Sequence, residues 1–188
     1  DGTLQIEAYN PAGGGGTLAT GDFTGEGNED VIVAGNGVAV LRGRGDGSLD
    51  APINHSTNGM SHNAVATADF NSDGNLDAVV TNGDTGTVSL MLGNGDGTLN
   101  YVDAFATGSL PSGIAIGDFN GDGRPDMAVA NRLSHTVSVL LNDGVWQSEP
   151  NLIGDYNLDQ SVDAADYVIW RKLQGTTVTP STGADGND

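Results

Sequence analysis

The chain has 188 residues, enough for one large or two small domains, and carries 25 acidic against six basic residues for a formal charge of −19. That sign excludes a nucleic-acid binder and a module drawn to an anionic membrane surface. The lack of cysteine excludes disulfides and thiolate-bound metals, and no apolar run reaches the roughly 18 residues a membrane span needs.

The chain opens on Asp1-Gly2-Thr3-Leu4, a turn followed by a small and then an apolar residue. The marker returns as Asp46-Gly47-Ser48-Leu49 and Asp96-Gly97-Thr98-Leu99, and in a divergent form as Asp143-Gly144-Val145-Trp146. Residues 1–10 therefore read as the tail of an earlier repeat, which places any secretion signal upstream of Asp1. Three repeats follow, over 11–57, 58–108 and 109–146.

Each repeat contains one nine-residue acidic loop. The first is Asp22-Phe23-Thr24-Gly25-Glu26-Gly27-Asn28-Glu29-Asp30. The second is Asp69-Phe70-Asn71-Ser72-Asp73-Gly74-Asn75-Leu76-Asp77, and the third Asp118-Phe119-Asn120-Gly121-Asp122-Gly123-Arg124-Pro125-Asp126. Their first aspartates lie 47 and 49 residues apart. Oxygen-bearing side chains fall at positions one, three, five and nine, with glycine at six. A hard cation needs that alternation: every second side chain turns inward, glycine permits the bend, and carboxylates neutralise the charge. In the second and third loops, three carboxylates and one asparagine amide are joined by the backbone carbonyl of position seven, Asn75 or Arg124. The first loop offers the poorest set, because Thr24 is a weaker donor and Glu26 is longer than aspartate. Calcium fits better than magnesium, which demands a tighter octahedron, and better than zinc, since no loop holds histidine or cysteine.

The segments between loops read as short strands. In the second repeat these are Ala64-Val65-Ala66-Thr67, Ala78-Val79-Val80-Thr81 and Thr87-Val88-Ser89-Leu90-Met91-Leu92. In the third they are Gly113-Ile114-Ala115-Ile116-Gly117, Met127-Ala128-Val129-Ala130 and Thr136-Val137-Ser138-Val139-Leu140-Leu141. A further strand follows each Asp-Gly turn, at Ala51-Pro52-Ile53-Asn54 and Tyr101-Val102-Asp103-Ala104-Phe105. About four strands per repeat, at this period, is the pattern of a propeller blade.

These residues resemble the FG-GAP/VCBS repeats, the calcium-binding blades also found in integrin α-subunit propellers. The G-D-F-N-G-D-G-x-x-D core at 117–126 and the G-x-G-D-G-T-L turn at 93–99 carry the likeness over residues 1–146. The resemblance implies a mainly β fold of four-stranded blades, with calcium loops joining the first two strands of each. Three blades do not close a ring, which takes four to eight.

Near residue 147 the pattern changes. Residues 147–152 read as a polar linker. Then Asp155-Tyr156-Asn157-Leu158-Asp159-Gln160-Ser161-Val162-Asp163-Ala164-Ala165-Asp166 places oxygens with EF-hand spacing, a final aspartate replacing glutamate. A helix is expected over 164–173, ending before Gly175. Residues 153–188 resemble one and a half units of a type I dockerin. The resemblance implies ligands at Asp155, Asn157, Asp159, Ser161, Asp163 and Asp166, and a cohesin-facing surface at Ala164, Ala165, Arg171 and Lys172. Gln160 stands where that family usually has glycine.

Thirteen of the 25 acidic residues occupy ligand-type positions in these four loops, a distribution that a merely acidic surface does not predict. Arg44-Gly45-Asp46 spells an integrin-recognition tripeptide and Asn54-His55-Ser56 a glycosylation sequon, but turn chemistry accounts for the glycine and aspartate of the first. His55, His62 and His135 share no motif, and neither a nucleophile elbow nor a zinc-protease signature occurs. The chain is therefore read as a non-catalytic extracellular or cell-surface calcium protein of bacterial type. Its role would be adhesion, assembly with a protein partner or self-association. The alternative is the carbohydrate-binding region of a polysaccharide-degrading enzyme.

Overall fold

The computed structural model describes residues 16–57 and 59–144, and these contain strands and turns but no helix. The first sheet is built from β1 (Thr17–Gly21), β2 (Asp30–Ala34), β3 (Val38–Leu41) and β4 (Ile53–His55), hydrogen-bonded in that order. The second repeats it with β5 (Val65–Ala68), β6 (Asp77–Asn82), β7 (Thr87–Gly93) and β8 (Leu99–Ala106). The third contains β9 (Pro111–Gly117), β10 (Asp126–Asn131) and β11 (Thr136–Leu140), with β10 in the middle. All pairings are antiparallel. Four-stranded meanders of this kind are blades, as the repeat pattern predicts. The fourth strand expected for the third repeat falls outside the described residues. So do residues 1–10, the linker at 147–152, the loop at 155–166, the helix expected at 164–173 and the partner-facing residues Ala164, Ala165, Arg171 and Lys172.

Apolar side chains give each blade two working faces. Phe23, Val38 and Val40 on the trailing face of blade one share a core with Ala78, Val80, Met91 and Leu99 of blade two, with Val65 packed alongside. One blade later the contact recurs: Phe70, Val88 and Leu90 meet Met127 and Val129, flanked by Ile114. Blade two is covered on both sides, so every residue of β6 is buried. The phenylalanine at loop position two is the most telling member. Phe23 and Phe70 are 2% and 1% exposed, whereas Phe119, at the same place in blade three, is 51% exposed.

Both buried phenylalanine carbonyls also accept a hydrogen bond from the next blade, from donors at non-equivalent positions. The Phe23 carbonyl accepts the Gly97 N–H at 3.0 Å, and the Phe70 carbonyl accepts Nδ2 of Asn142 at 2.8 Å. Each therefore joins a loop to the turn that follows the third strand of the next blade.

Candidate metal centre

Each acidic loop joins the first and second strands of its blade, the position the resemblance implies. The closing pairs are Gly21↔Asp30, Ala68↔Asp77 and Gly117↔Asp126. Loop position nine is thus already the first residue of a strand.

Position one folds the loop around itself. Asp22 accepts backbone N–H groups of Thr24, Glu26 and Gly27. Asp69 accepts those of Asp73 and Gly74, and Asp118 those of Gly121, Asp122 and Gly123. The glycine at position six sits at φ of 84°, 89° and 85° in the three loops, a left-handed conformation that side chains disfavour. The bond from Gly27 holds the Asp22 carboxyl below its usual range, and the bond from Gly123 does the same for Asp118.

Position nine has a role beyond the ligation assigned to it from spacing. Asp30, Asp77 and Asp126 are fully buried. One oxygen of Asp77 accepts the Phe70 N–H at 2.7 Å and the other the Gly93 N–H at 2.9 Å. Asp30 joins Phe23 and Gly43 in the same way, and Asp126 joins Phe119 and Asn142. Each carboxylate therefore pins the loop to the residue that leaves the third strand.

That staple fixes the register of the turns. Gly43, Gly93 and Asn142 are equivalent, so Asp143-Gly144 aligns with Arg44-Gly45 and Asn94-Gly95. The sequence reading of Asp143-Gly144-Val145-Trp146 as a copy of the Asp46 and Asp96 markers is corrected by two residues. The glycine two residues after each staple packs against the side chain of loop position seven: Gly45 on Asn28, Gly95 on Asn75 and Gly144 on Arg124.

The loops differ in their countercharge. In the first, Glu26 pairs with Arg42, and Thr24 Oγ1 lies 3.2 Å from Asp30. In the third, Arg124 donates to Asp122 at 2.6 Å and to the Asn142 carbonyl at 2.8 Å, while Asn120 also donates to Asp122. In the second, Asn71 donates to Asp73 at 2.8 Å, and no ion pair among the described residues involves Asp69, Asp73 or Asp77. Burial pushes the Asp77 carboxyl up to about 6, against its two N–H bonds and with help from Asp73 and Asp69.

Among the described residues no three Asp, Glu or His side chains are gathered as a ready metal centre. The donor chemistry of the second loop nonetheless fits a hard cation. Asp69, Asn71 and Asp73 stand at its outer side, and an ionised Asp77 keeps lone pairs beyond the two its backbone partners use. The third loop has the same oxygens and the first has Thr24 and Glu26 in place of asparagine and aspartate, but an arginine neutralises position five in each. Neither Arg42 nor the backbone partners of position nine were legible as site residues, because each reaches the loop only through sheet register.

The remaining sequence candidates are not drawn together. His62 is buried, with Nδ1 3.1 Å from the Thr81 carbonyl and Nε2 3.0 Å from Thr57 Oγ1. Arg44 bonds Asp50 at 2.6 Å, and Asp46 caps its own turn through the Ser48 N–H.

Antiparallel blades that each have the same acidic loop between their first two strands define a β-repeat protein. The FG-GAP-like repeat family model matches at 22–80, 69–129 and 118–168, each match beginning on a position-one aspartate. The chain belongs to the FG-GAP-like repeat family. The third match runs through the stretch read as linker and EF-hand loop. No curated protein matches. Among solved structures, the chain is similar to an Agrocybe aegerita lectin described as recognising non-reducing terminal N-acetylglucosamine. The identity is 22% and the TM-score 0.47, over 66% of this chain and 34% of that one, so this chain spans about a third of the lectin's length. No helix of the described residues is long and apolar enough to cross a membrane.

Proposed function

We propose that the chain is a non-catalytic extracellular binding module whose second acidic loop holds Ca²⁺. Asp69, Asn71, Asp73, Asp77 and the Asn75 carbonyl would hold the ion, which supplies the positive charge that arginine supplies in the loops at 22–30 and 118–126. The observation that carries this reading is the three-way comparison of loops. They share fold, glycine and staple, yet position five pairs with an arginine in the first and third loops, while among the described residues Asp73 of the second has no basic partner and, with Asp69, pushes the Asp77 carboxyl up. Like charges in one loop disfavour one another's ionised form unless a cation neutralises them. The loops at 22–30 and 118–126 take calcium more weakly, since Arg42 or Arg124 must first be displaced from Glu26 or Asp122.

Calcium would make the blades rigid where it is abundant, outside the cell, and the blade edges would then serve adhesion or assembly with a protein partner. The loop at 155–166 is proposed as a further calcium site of dockerin type, with Ala164, Ala165, Arg171 and Lys172 facing a cohesin-like partner.

Thermal unfolding in Ca²⁺, Mg²⁺ and EDTA tests the reading. An ion at about 100 times its dissociation constant stabilises the fold by about 2.7 kcal/mol. Calcium should raise the midpoint by about 5 °C or more over EDTA, and magnesium by much less. Midpoints that coincide in calcium and EDTA would contradict the proposal. Asp73→Ala should abolish most of the calcium shift, whereas Glu26→Ala, which frees Arg42 but removes an already neutralised carboxylate, should leave it nearly intact.

A further inference from the structure

We propose that Asn36-Gly37, at the tip of the β2–β3 hairpin, is a site of spontaneous deamidation, and that the fold shields the other described asparagine-glycine pairs from the same reaction. Those others are Asn82-Gly83, Asn94-Gly95 and Asn120-Gly121; a further pair is Asn58-Gly59, but residue 58 lies outside the described residues. Glycine after asparagine favours the reaction, because no side chain hinders its backbone nitrogen and its backbone turns freely. That nitrogen attacks Cγ of the asparagine and gives up its proton. The N–Cγ bond forms, the Cγ–Nδ2 bond breaks and ammonia leaves. Water then opens the cyclic imide at either carbonyl, giving aspartate or isoaspartate. The reaction needs a side chain free to fold back and a glycine N–H free to lose its proton.

Three of the pairs lack that freedom. Asn82 is fully buried, its Nδ2 donates to Thr87 and Ser89 at 2.9 Å each, and the Gly83 N–H donates to the Ser61 carbonyl at 3.2 Å. Asn94 is held at both ends of its amide: Nδ2 donates to Thr98 at 2.8 Å, and Oδ1 accepts from Asn100 at 2.8 Å. Asn120 donates to Asp122 and accepts the Asp122 N–H at 3.0 Å, while the Gly121 N–H is taken by Asp118 at 2.7 Å.

Asn36 is different. It is exposed in the short turn between β2 and β3, its side chain makes no hydrogen bond, and no described group accepts the Gly37 N–H. The consequence falls on the seam between blades one and two. The Gly35 carbonyl, in the same turn, accepts the His62 N–H from the loop that enters blade two at 3.0 Å. Aspartate adds a negative charge to that turn, and isoaspartate adds a methylene to its backbone, so ageing of the protein loosens this link first.

Peptide mass spectrometry on the full chain tests this, after incubation in mildly alkaline buffer at physiological temperature, both folded and in concentrated urea. In the folded chain the amide-to-acid mass gain should accumulate at Asn36 at least about ten-fold faster than at Asn82, Asn94 or Asn120, since each of these must first break hydrogen bonds. In urea those bonds are gone and the rates should converge. Gly37→Ala should slow the reaction at Asn36 about ten-fold by hindering the attack. Its unfolding midpoint should be unchanged, because a Cβ on Gly37 meets nothing within 4 Å and its φ is not left-handed. Deamidation of the folded chain that is as fast at Asn94 or Asn120 as at Asn36 would overturn the proposal. So would an Asn36 that reacts only in urea, or one that reacts equally fast in Gly37→Ala.

Discussion

Asp77→Ala should cost the protein about 3–5 kcal/mol, measured by denaturant unfolding in EDTA so that no metal contributes. The side chain is fully buried and both oxygens are occupied, by the N–H groups of Phe70 and Gly93 at 2.7 and 2.9 Å. Removing it orphans two buried donors, and each unsatisfied group costs about 1–3 kcal/mol. A domain of this size has about 5–15 kcal/mol in total, so the loss should lower the melting temperature by roughly 10 °C or more. Asp77→Asn retains one acceptor and should fall between. Asp126→Ala should cost less than Asp77→Ala, since the Asn142 N–H it orphans is buried but that of the half-exposed Phe119 is only partly so. If Asp77→Ala in EDTA cost less than about 1 kcal/mol, the carboxylate would be a metal ligand alone and the staple would be wrong.

Phe70→Ala and Phe119→Ala should differ by several kcal/mol although both delete the phenylalanine at loop position two. Phe70 is 1% exposed in the core shared by blades two and three, and truncating a buried phenylalanine costs about 3–5 kcal/mol. Phe119 is half exposed on the face that no described blade covers, so its removal should cost less than about 1 kcal/mol in the monomer. Urea midpoints at low protein concentration separate the two. Equal losses would show that blade three is already covered.

Much of this fold was legible because its chemistry is local. Alternating oxygens with a glycine at position six mark each loop, and the short apolar runs after it mark the strands. β6, β7 and β10 coincide with those runs to within a residue or two. What escaped the sequence depends on residues far apart along the chain. Asp77 reaches Gly93 only because β6 and β7 are paired, and Arg42 meets Glu26 only across a hairpin. The register of the third turn was misread for the same reason: Asp143-Gly144 copies the marker in letters, but the Asp126 staple selects Asn142 and aligns Gly144 with Gly45 and Gly95. Spacing likewise ranked the second and third loops together above the first, whereas the ion pairs single out the second. Exposure of Phe119 is not encoded in its own loop at all, but in what packs against that face.

Calcium titration calorimetry on the wild type and on Asp69→Ala tests the central claim most directly. The wild type should show a tightest site that disappears in Asp69→Ala and persists in Glu26→Ala, with any further sites weaker. A tightest site that survives Asp69→Ala, or no calcium heat in the wild type, would contradict it.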